Sequence, residues 1–220
     1  MTKVDLRLNA IVDASLADVA DLPLLAAQAV RGGATLLQYR DKTASTRRMV
    51  EQAMAIIVAI AGSGVPLLVN DRVDVALAAG ADGVHLGSSD LDPETARRLL
   101  GPSAIIGLSV KTAEEAHRAA LAPADYACIG GVFATTSKDN PGPPLGIDGY
   151  RLLRKQLHAD RPTLPVGAIA GITEARIAPL IAAGADGVAV IAALFRSGDV
   201  IGTARAFRSA VDAALSERSA

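Results

Sequence analysis

The strongest constraint on the fold is an alternation that runs the whole length of the chain: short aliphatic runs, each followed by a stretch of helical periodicity. Runs at residues 6–12, 35–39, 66–70, 83–86, 105–109, 126–130, 165–168 and 187–190 read as strands. Between and after them, residues 23–32, 45–61, 72–79, 93–100, 113–120, 147–156, 174–183 and 201–215 read as helices. The strand segments are mostly apolar without a polar alternate position, as expected of parallel strands covered on both faces. Eight strand–helix pairs predict the α/β class and a single (βα)8 TIM barrel, with residues 1–220 as one domain. A doubly wound sheet needs fewer strands and usually a glycine fingerprint after the first, which Ile11-Val12-Asp13-Ala14-Ser15 lacks.

An internal repeat supports this reading. Ala-Ala-Gly-Ala-Asp-Gly-Val occurs at residues 78–84 and again at 182–188. Each copy reads as a helix end, a glycine turn and the start of a strand crowded by helices. Asp82 and Asp186 in these turns are expected to brace the loop. The filling of the barrel is set by composition: 50% of residues are hydrophobic but only 3% aromatic, with no Trp, so the core must be aliphatic. A net charge of −1 offers no broad cationic face for a phosphate backbone, which argues against nucleic-acid binding. Cys128 is the one cysteine, which excludes an intrachain disulfide and a cysteine metal cluster and fits a reducing, cytoplasmic setting. Lys3, Asp5 and Arg7 break up any secretory apolar segment near the start. Gly62, Gly64 and Pro66 divide the longest uncharged stretch, so no membrane association is expected.

Barrel enzymes carry their chemistry at strand C-termini and in the loops beyond. Here those positions hold Gln38-Tyr39-Arg40-Asp41-Lys42, Asn70-Asp71-Arg72, His85 with Asp90, Ser109 with Lys111, and Thr135-Thr136-Ser137-Lys138. Ala170-Gly171-Ile172-Thr173 follows the seventh strand, and Ile191-Ala192-Ala193 the eighth. Arg40, Lys42 and Lys138 converging on one mouth would repel one another unless an anion sits among them. Asp71 and Asp90, from neighbouring strands, can share Mg²⁺, which takes one or two carboxylates together with substrate phosphate oxygens. Cations, carboxylates and a metal point to a diphosphate. The glycine loop and the turn after the eighth strand suit a second phosphate, held by backbone N–H groups. Two phosphate-bearing ligands on one rim point to a transferase. The loop at 134–146 is long enough to be a lid.

At these residues the sequence resembles the thiamine-phosphate synthase family over nearly its whole length. The resemblance rests on Gln38-Tyr39-Arg40-Asp41-Lys42, Val69-Asn70-Asp71-Arg72, Gly83-Val84-His85-Leu86-Gly87 followed by Asp90, Ile106-Gly107-Leu108-Ser109, Thr135-Thr136-Ser137-Lys138 and Ala168-Ile169-Ala170-Gly171-Ile172. It implies the joining of a hydroxymethylpyrimidine diphosphate to a thiazole phosphate, free or carboxylated, with release of pyrophosphate and with Mg²⁺ as cofactor. It implies that Gln38, Arg40, Lys42, Asn70, Ser109 and Lys138 hold the pyrimidine diphosphate and that Asp71 and Asp90 bind the metal. Thr135, Ser137, Gly171 and the Ile191-Ala192 backbone are implied for the thiazole phosphate. Tyr39, Asp41 and Thr136 join the expected substrate contacts through their motifs. Arg40, Lys42, Lys138 and Ser109 are the catalytic candidates. The family's Gly-Gly pair after the seventh strand is Ala170-Gly171 here, and its Ser after the eighth is Ala192. Weaker thiazole-phosphate binding is the expected consequence.

Three other readings stay open at this level. A thiazole tautomerase of the same family would not need the carboxylate and cation cluster. A Schiff-base aldolase on Lys42 or Lys138 would need a desolvated lysine. A silent phosphate-binding barrel would not turn over. Homo-oligomerisation is open too. His85 reads as a buried histidine satisfied by its neighbours.

Overall fold

The computed structural model describes residues 4–135 and 142–219. Eight parallel strands close into a barrel in chain order, β1 (Leu8–Asp13), β2 (Leu36–Arg40), β3 (Leu67–Asn70), β4 (Gly83–Leu86), β5 (Ile105–Val110), β6 (Tyr126–Ile129), β7 (Val166–Ile169) and β8 (Gly187–Val190), with β8 pairing back onto β1. The helices are α1 (Leu22–Arg31), α2 (Thr46–Ala59), α3 (Val73–Ala79), α4 (Pro93–Leu100), α5 (Ala113–Leu121), α6 (Gly146–Asp160), α7 (Ile177–Ala182), the short α8 (Ala192–Phe195) and α9 (Val200–Ser219). No helix among the described residues is long and apolar enough to cross a membrane.

The strand period of two splits the core into two clusters. Leu8, Ala10, Val12, Leu37, Tyr39, Val69 and Val84 point outward and join the apolar stripes of the helices. Ile11, Leu36, Leu68, Tyr126, Cys128, Ala189 and Ile191 point inward and fill the barrel. With so few aromatics, Tyr126 is the aromatic member of the inner cluster, among aliphatic residues and Cys128. It lies over Gly107, where an added Cβ would come within 2.1 Å of the ring.

The two copies of the repeat fold alike. Asp82 accepts from the Leu67 N–H at 2.8 Å and Asp186 from the Val166 N–H at 2.9 Å, each tying the start of one strand to its neighbour. Asp125 does the same for Ile106 at 2.8 Å, so the brace recurs where the full repeat does not. The glycine after each repeat aspartate is required by close approach: a Cβ on Gly83 would sit 1.9 Å from the Ile105 carbonyl oxygen, and one on Gly187 1.8 Å from that of Leu6.

The predicted elements appear in order, with four differences, the first being that α6 runs four residues past its predicted end, to Asp160. The helix expected at 174–183 opens as a 3-10 turn at Glu174–Arg176 before α7, because Pro179 lacks the N–H that would bond residue 175. The last helix runs four residues past the predicted end, to Ser219; Arg218 stitches that end to the Ile181 and Ala185 carbonyls and to Asp186. Helix α8 has only four residues, too few for periodicity to show.

Candidate active site

A cavity of about 490 Å³ opens at the C-terminal mouth of the barrel. The inward alternation of β2, β3 and β5 delivers Gln38, Arg40, Asn70 and Ser109 to it, and the loops add Thr135, Gly171, Ile191 and Ala192. These eight sequence-predicted residues therefore share one cavity. Lys42, Asp71 and Asp90 stand beside them on the β2–β4 rim, where Lys42 pairs with Asp71 and Asp71 interacts with Asp90. Thr136, Ser137 and Lys138 lie outside the described residues, as does much of the expected lid.

Tyr39 and Asp41 are not brought to the cavity, which corrects their placement as substrate contacts. Period two along β2 sends Tyr39 outward into the helix-facing core, where it is fully buried. Asp41 turns back on its own loop and accepts from the Thr43 and Ala44 N–H groups at 2.8 and 2.9 Å and from the Thr43 hydroxyl. Burial alone would raise the Asp41 carboxyl, but these donors outweigh it and hold it below its ordinary value. Both residues shape the loop that carries Lys42.

Arg40 and Lys42 are compensated in advance, where mutual repulsion was expected. Arg40 pairs with buried Asp13 at the end of β1, and Asp13 also accepts from the Ser15 N–H at 2.9 Å. Lys42 pairs with Asp71 rather than leaving it to Arg40 or Arg72; Arg72 is held by Asp74 at 2.5 Å. Asp71 sits in the left-handed region at φ 64°, with its N–H donating to the His85 carbonyl at 2.9 Å. An aspartate tolerates this conformation better than most residues. Burial pushes the Asp90 carboxyl above its ordinary value, and the neighbouring Asp71 adds to that push against the Gly87 N–H and Lys42. Two carboxylates crowded in this way fit a divalent cation, which would relieve their repulsion. No group of three or more His, Cys, Asp or Glu suited to a metal occurs among the described residues, and Mg²⁺ needs only one or two carboxylates beside phosphate oxygens.

The β7–β8 side of the mouth is built from backbone. Gly171 has φ 63°, and a Cβ there would lie 2.4 Å from the Ala134 carbonyl oxygen and 2.8 Å from Phe133 Cβ. Only glycine fits. Ala170 before it also has a positive φ, 91°, a conformation that alanine occupies under strain. The methyl at this departure from the family pattern therefore acts through the backbone as well as through space.

Sequence reasoning gave no site role to four residues at or beside the cavity, although it placed His85 and Lys111 at the mouth. His85 is buried and satisfied as expected, yet it also lines the cavity and holds Ser109. Lys111 lines the cavity two residues after Ser109, as period two on β5 would have indicated. Arg176 reaches the mouth from the turn before α7, donating to the Gly171 carbonyl at 2.5 Å and lying 4.3 Å over the Phe133 ring. Asp13, the partner of Arg40, carried no motif that singled it out.

Known proteins resemble this chain closely. A family model described as thiamine monophosphate synthase matches residues 8–194. The chain is 63% identical over 218 residues to a thiamine-phosphate synthase of Agrobacterium fabrum, covering 99% of each. It is 43% identical over 208 residues to one from Chloroflexus aurantiacus, covering 94% of each. Among solved structures, a thiamine phosphate pyrophosphorylase from Pyrococcus furiosus superposes with a TM-score of 0.83 at 35% identity, covering 98% of this chain and all of the other.

Proposed function

The chain belongs to the thiamine monophosphate synthase family, and from that premise we propose that it joins a hydroxymethylpyrimidine diphosphate to a thiazole phosphate, giving thiamine phosphate and pyrophosphate. The observation that carries the reading is the meeting, at one barrel mouth, of a cation and carboxylate cluster with a glycine phosphate loop. Gln38, Asn70 and Ser109 hold the pyrimidine from the cavity wall, and Arg40, Lys42 and Lys138 hold its diphosphate. Gly171 and the Ile191-Ala192 backbone, with Thr135 and Ser137, take the thiazole phosphate.

The bond from the pyrimidinylmethyl carbon to the diphosphate oxygen breaks with its electron pair on the leaving pyrophosphate, and the thiazole nitrogen lone pair then bonds to that carbon. The attacking nitrogen has no proton to lose. The reaction therefore needs charge stabilisation rather than a general base, and the cavity provides cations. Mg²⁺ held by Asp71 and Asp90 would add Lewis-acid neutralisation of the diphosphate. Arg40 comes to the diphosphate from its pairing with Asp13, so its guanidinium is oriented before the ligand arrives. Lys42 is paired with Asp71 in the ligand-free chain and would be freed to meet the diphosphate where Asp71 and Asp90 hold a divalent cation. A cytoplasmic setting accords with a sequence whose single cysteine cannot form an intrachain disulfide.

The test couples both substrates with purified protein and Mg²⁺ and measures thiamine phosphate and pyrophosphate together. Stoichiometric formation of the two is expected; no coupling at saturating thiazole phosphate would refute the reading. Lys138→Ala is expected to lower kcat by about 10²-fold, the cost of one preorganised charge donor. Calorimetric titration with pyrophosphate should show binding that depends on Mg²⁺, and metal-independent binding would remove the role given to Asp71 and Asp90. Borohydride with either substrate should trap no lysine adduct, in contrast to an aldolase.

A further inference from the structure

Behind the cavity-facing Ser109 runs a buried polar chain. Ser109 Oγ lies 2.9 Å from His85 Nε2, and His85 Nδ1 lies 2.8 Å from the Tyr126 hydroxyl. Tyr126 is fully enclosed in the barrel floor, its ring 5.5 Å from the imidazole and tilted 33° to it. The coupling chemistry proposed above uses Ser109 to hold the pyrimidine but gives His85 and Tyr126 behind it no part, because no proton has to move.

Counting protons fixes the direction of the chain. The Tyr126 hydroxyl has one proton to place, and its hydrogen-bond partner among the described residues is His85 Nδ1. Burial keeps that proton on the phenol, raising its pKa well above the ordinary value. A buried O–H without an acceptor is costly, so Tyr126 donates and Nδ1 accepts. A neutral imidazole then carries its one proton on Nε2, which donates to Ser109 Oγ. A doubly protonated ring would direct an N–H at a phenol with no other acceptor among the described residues for its own proton. The same constraint reaches Ser109. With an N–H arriving from His85, the serine proton cannot point back along that bond and turns to the cavity, which Ser109 lines.

We infer that Tyr126 is a positioning residue: by fixing the His85 tautomer it makes Ser109 a hydrogen-bond donor toward the ligand, so the floor selects a ligand atom that accepts, such as a heteroaromatic ring nitrogen. The identity of the ligand as a pyrimidine rests on the proposed function. The polarity of Ser109 does not.

The test has two arms that separate these layers. The first reads the imidazole tautomer by nitrogen NMR of the histidine-labelled full chain. Its three histidines make assignment direct, with the His85 signals identified by their loss in His85→Gln. The expected result is a proton on Nε2 of His85 in the ligand-free protein, shifting toward Nδ1 in Tyr126→Phe. A proton on Nδ1 in the unaltered protein would overturn the inference, whatever the reaction turns out to be. The second arm measures pyrimidine diphosphate binding by calorimetry. Tyr126→Phe is expected to weaken it about tenfold, the size of one lost hydrogen bond. In a Ser109→Ala background the same change should cost less than about twofold, since the donor it orients is gone. Equal losses in both backgrounds would mean that Tyr126 only fills space, and would also overturn the inference. Confirmation of the tautomer together with absent coupling would instead strike the proposed reaction.

Discussion

On the β2–β4 side of the mouth the charged groups are held by other charged side chains, whereas on the β7–β8 side, Arg176 apart, the cavity is lined by backbone and by small or aliphatic residues held by conformation. Arg40 leans on Asp13 and Lys42 on Asp71, and Asp71 is crowded by Asp90. Across the cavity, Gly171 and Ala170 stand at positive φ, and the Ile191-Ala192 turn opens α8. The first arrangement stores charge in pairs that a diphosphate and a divalent cation can repartition. The second presents polar backbone whose direction is fixed by φ and ψ and hardly by side-chain identity. A side-chain site is therefore sensitive to which residue is present, and a backbone site to whether the residue permits the turn.

The sharpest way to break this contrast is to neutralise the carboxylates. Asp71→Asn with Asp90→Asn is expected to lower the coupling rate by about 10³-fold, combining lost metal affinity with a Lys42 deprived of its partner. Steady-state rates over a Mg²⁺ titration check it, and a metal response like that of the unaltered protein would contradict the assignment. On the opposite side, Gly171→Ala drives a Cβ into the Ala134 carbonyl. It should raise KM for the thiazole phosphate by about 10-fold or more, with a smaller change in kcat. An equal rise for both substrates would show that the two sides are not independent.

Ala170→Gly probes the same loop from the other direction. Relieving the strain at φ 91° should stabilise the fold by about 0.5–1 kcal/mol, read as a rise of about 1–3 °C in Tm. It should also tighten thiazole-phosphate binding, and a fall in Tm would show that the loop is comfortable as it stands.

The smallest effect concerns the loop that presents Lys42. The Asp41 carboxyl is held below its ordinary value in the folded chain, although burial opposes the shift. Its stabilisation is therefore present above the unfolded value, near pH 4, and is lost as pH falls through the lower folded value. Asp41→Asn should be less stable near neutrality, and its denaturant midpoint should fall less steeply between about pH 5 and 3 than that of the unaltered protein. Parallel pH curves would remove the carboxylate from this role.

The barrel was legible because each of its devices is local. Strand runs, helix periods and the Gly-Ala-Asp-Gly turns leave marks within a few residues, and all eight strands fall within about two residues of their predicted bounds. The site was legible in outline because strand C-termini are known positions once the strands are known. Tyr39 and Asp41 were misplaced because a motif names neighbouring residues together, while the pleat sends alternate ones to opposite faces. Asp13, His85 and Arg176 went unassigned because each matters through a partner distant in sequence: Arg40, Ser109 and the Phe133 ring.

By itself, then, the amino-acid order determined the class of fold, the sequence of its elements and the set of groups available at the mouth, since these follow from short-range periodicity and turn chemistry. Only the closed barrel decided how those groups are partnered: which cation meets which carboxylate, which alanine is strained, and which way the protons run beneath Ser109. Pairing depends on distances between strands far apart along the chain, and those distances exist only once β8 has closed onto β1.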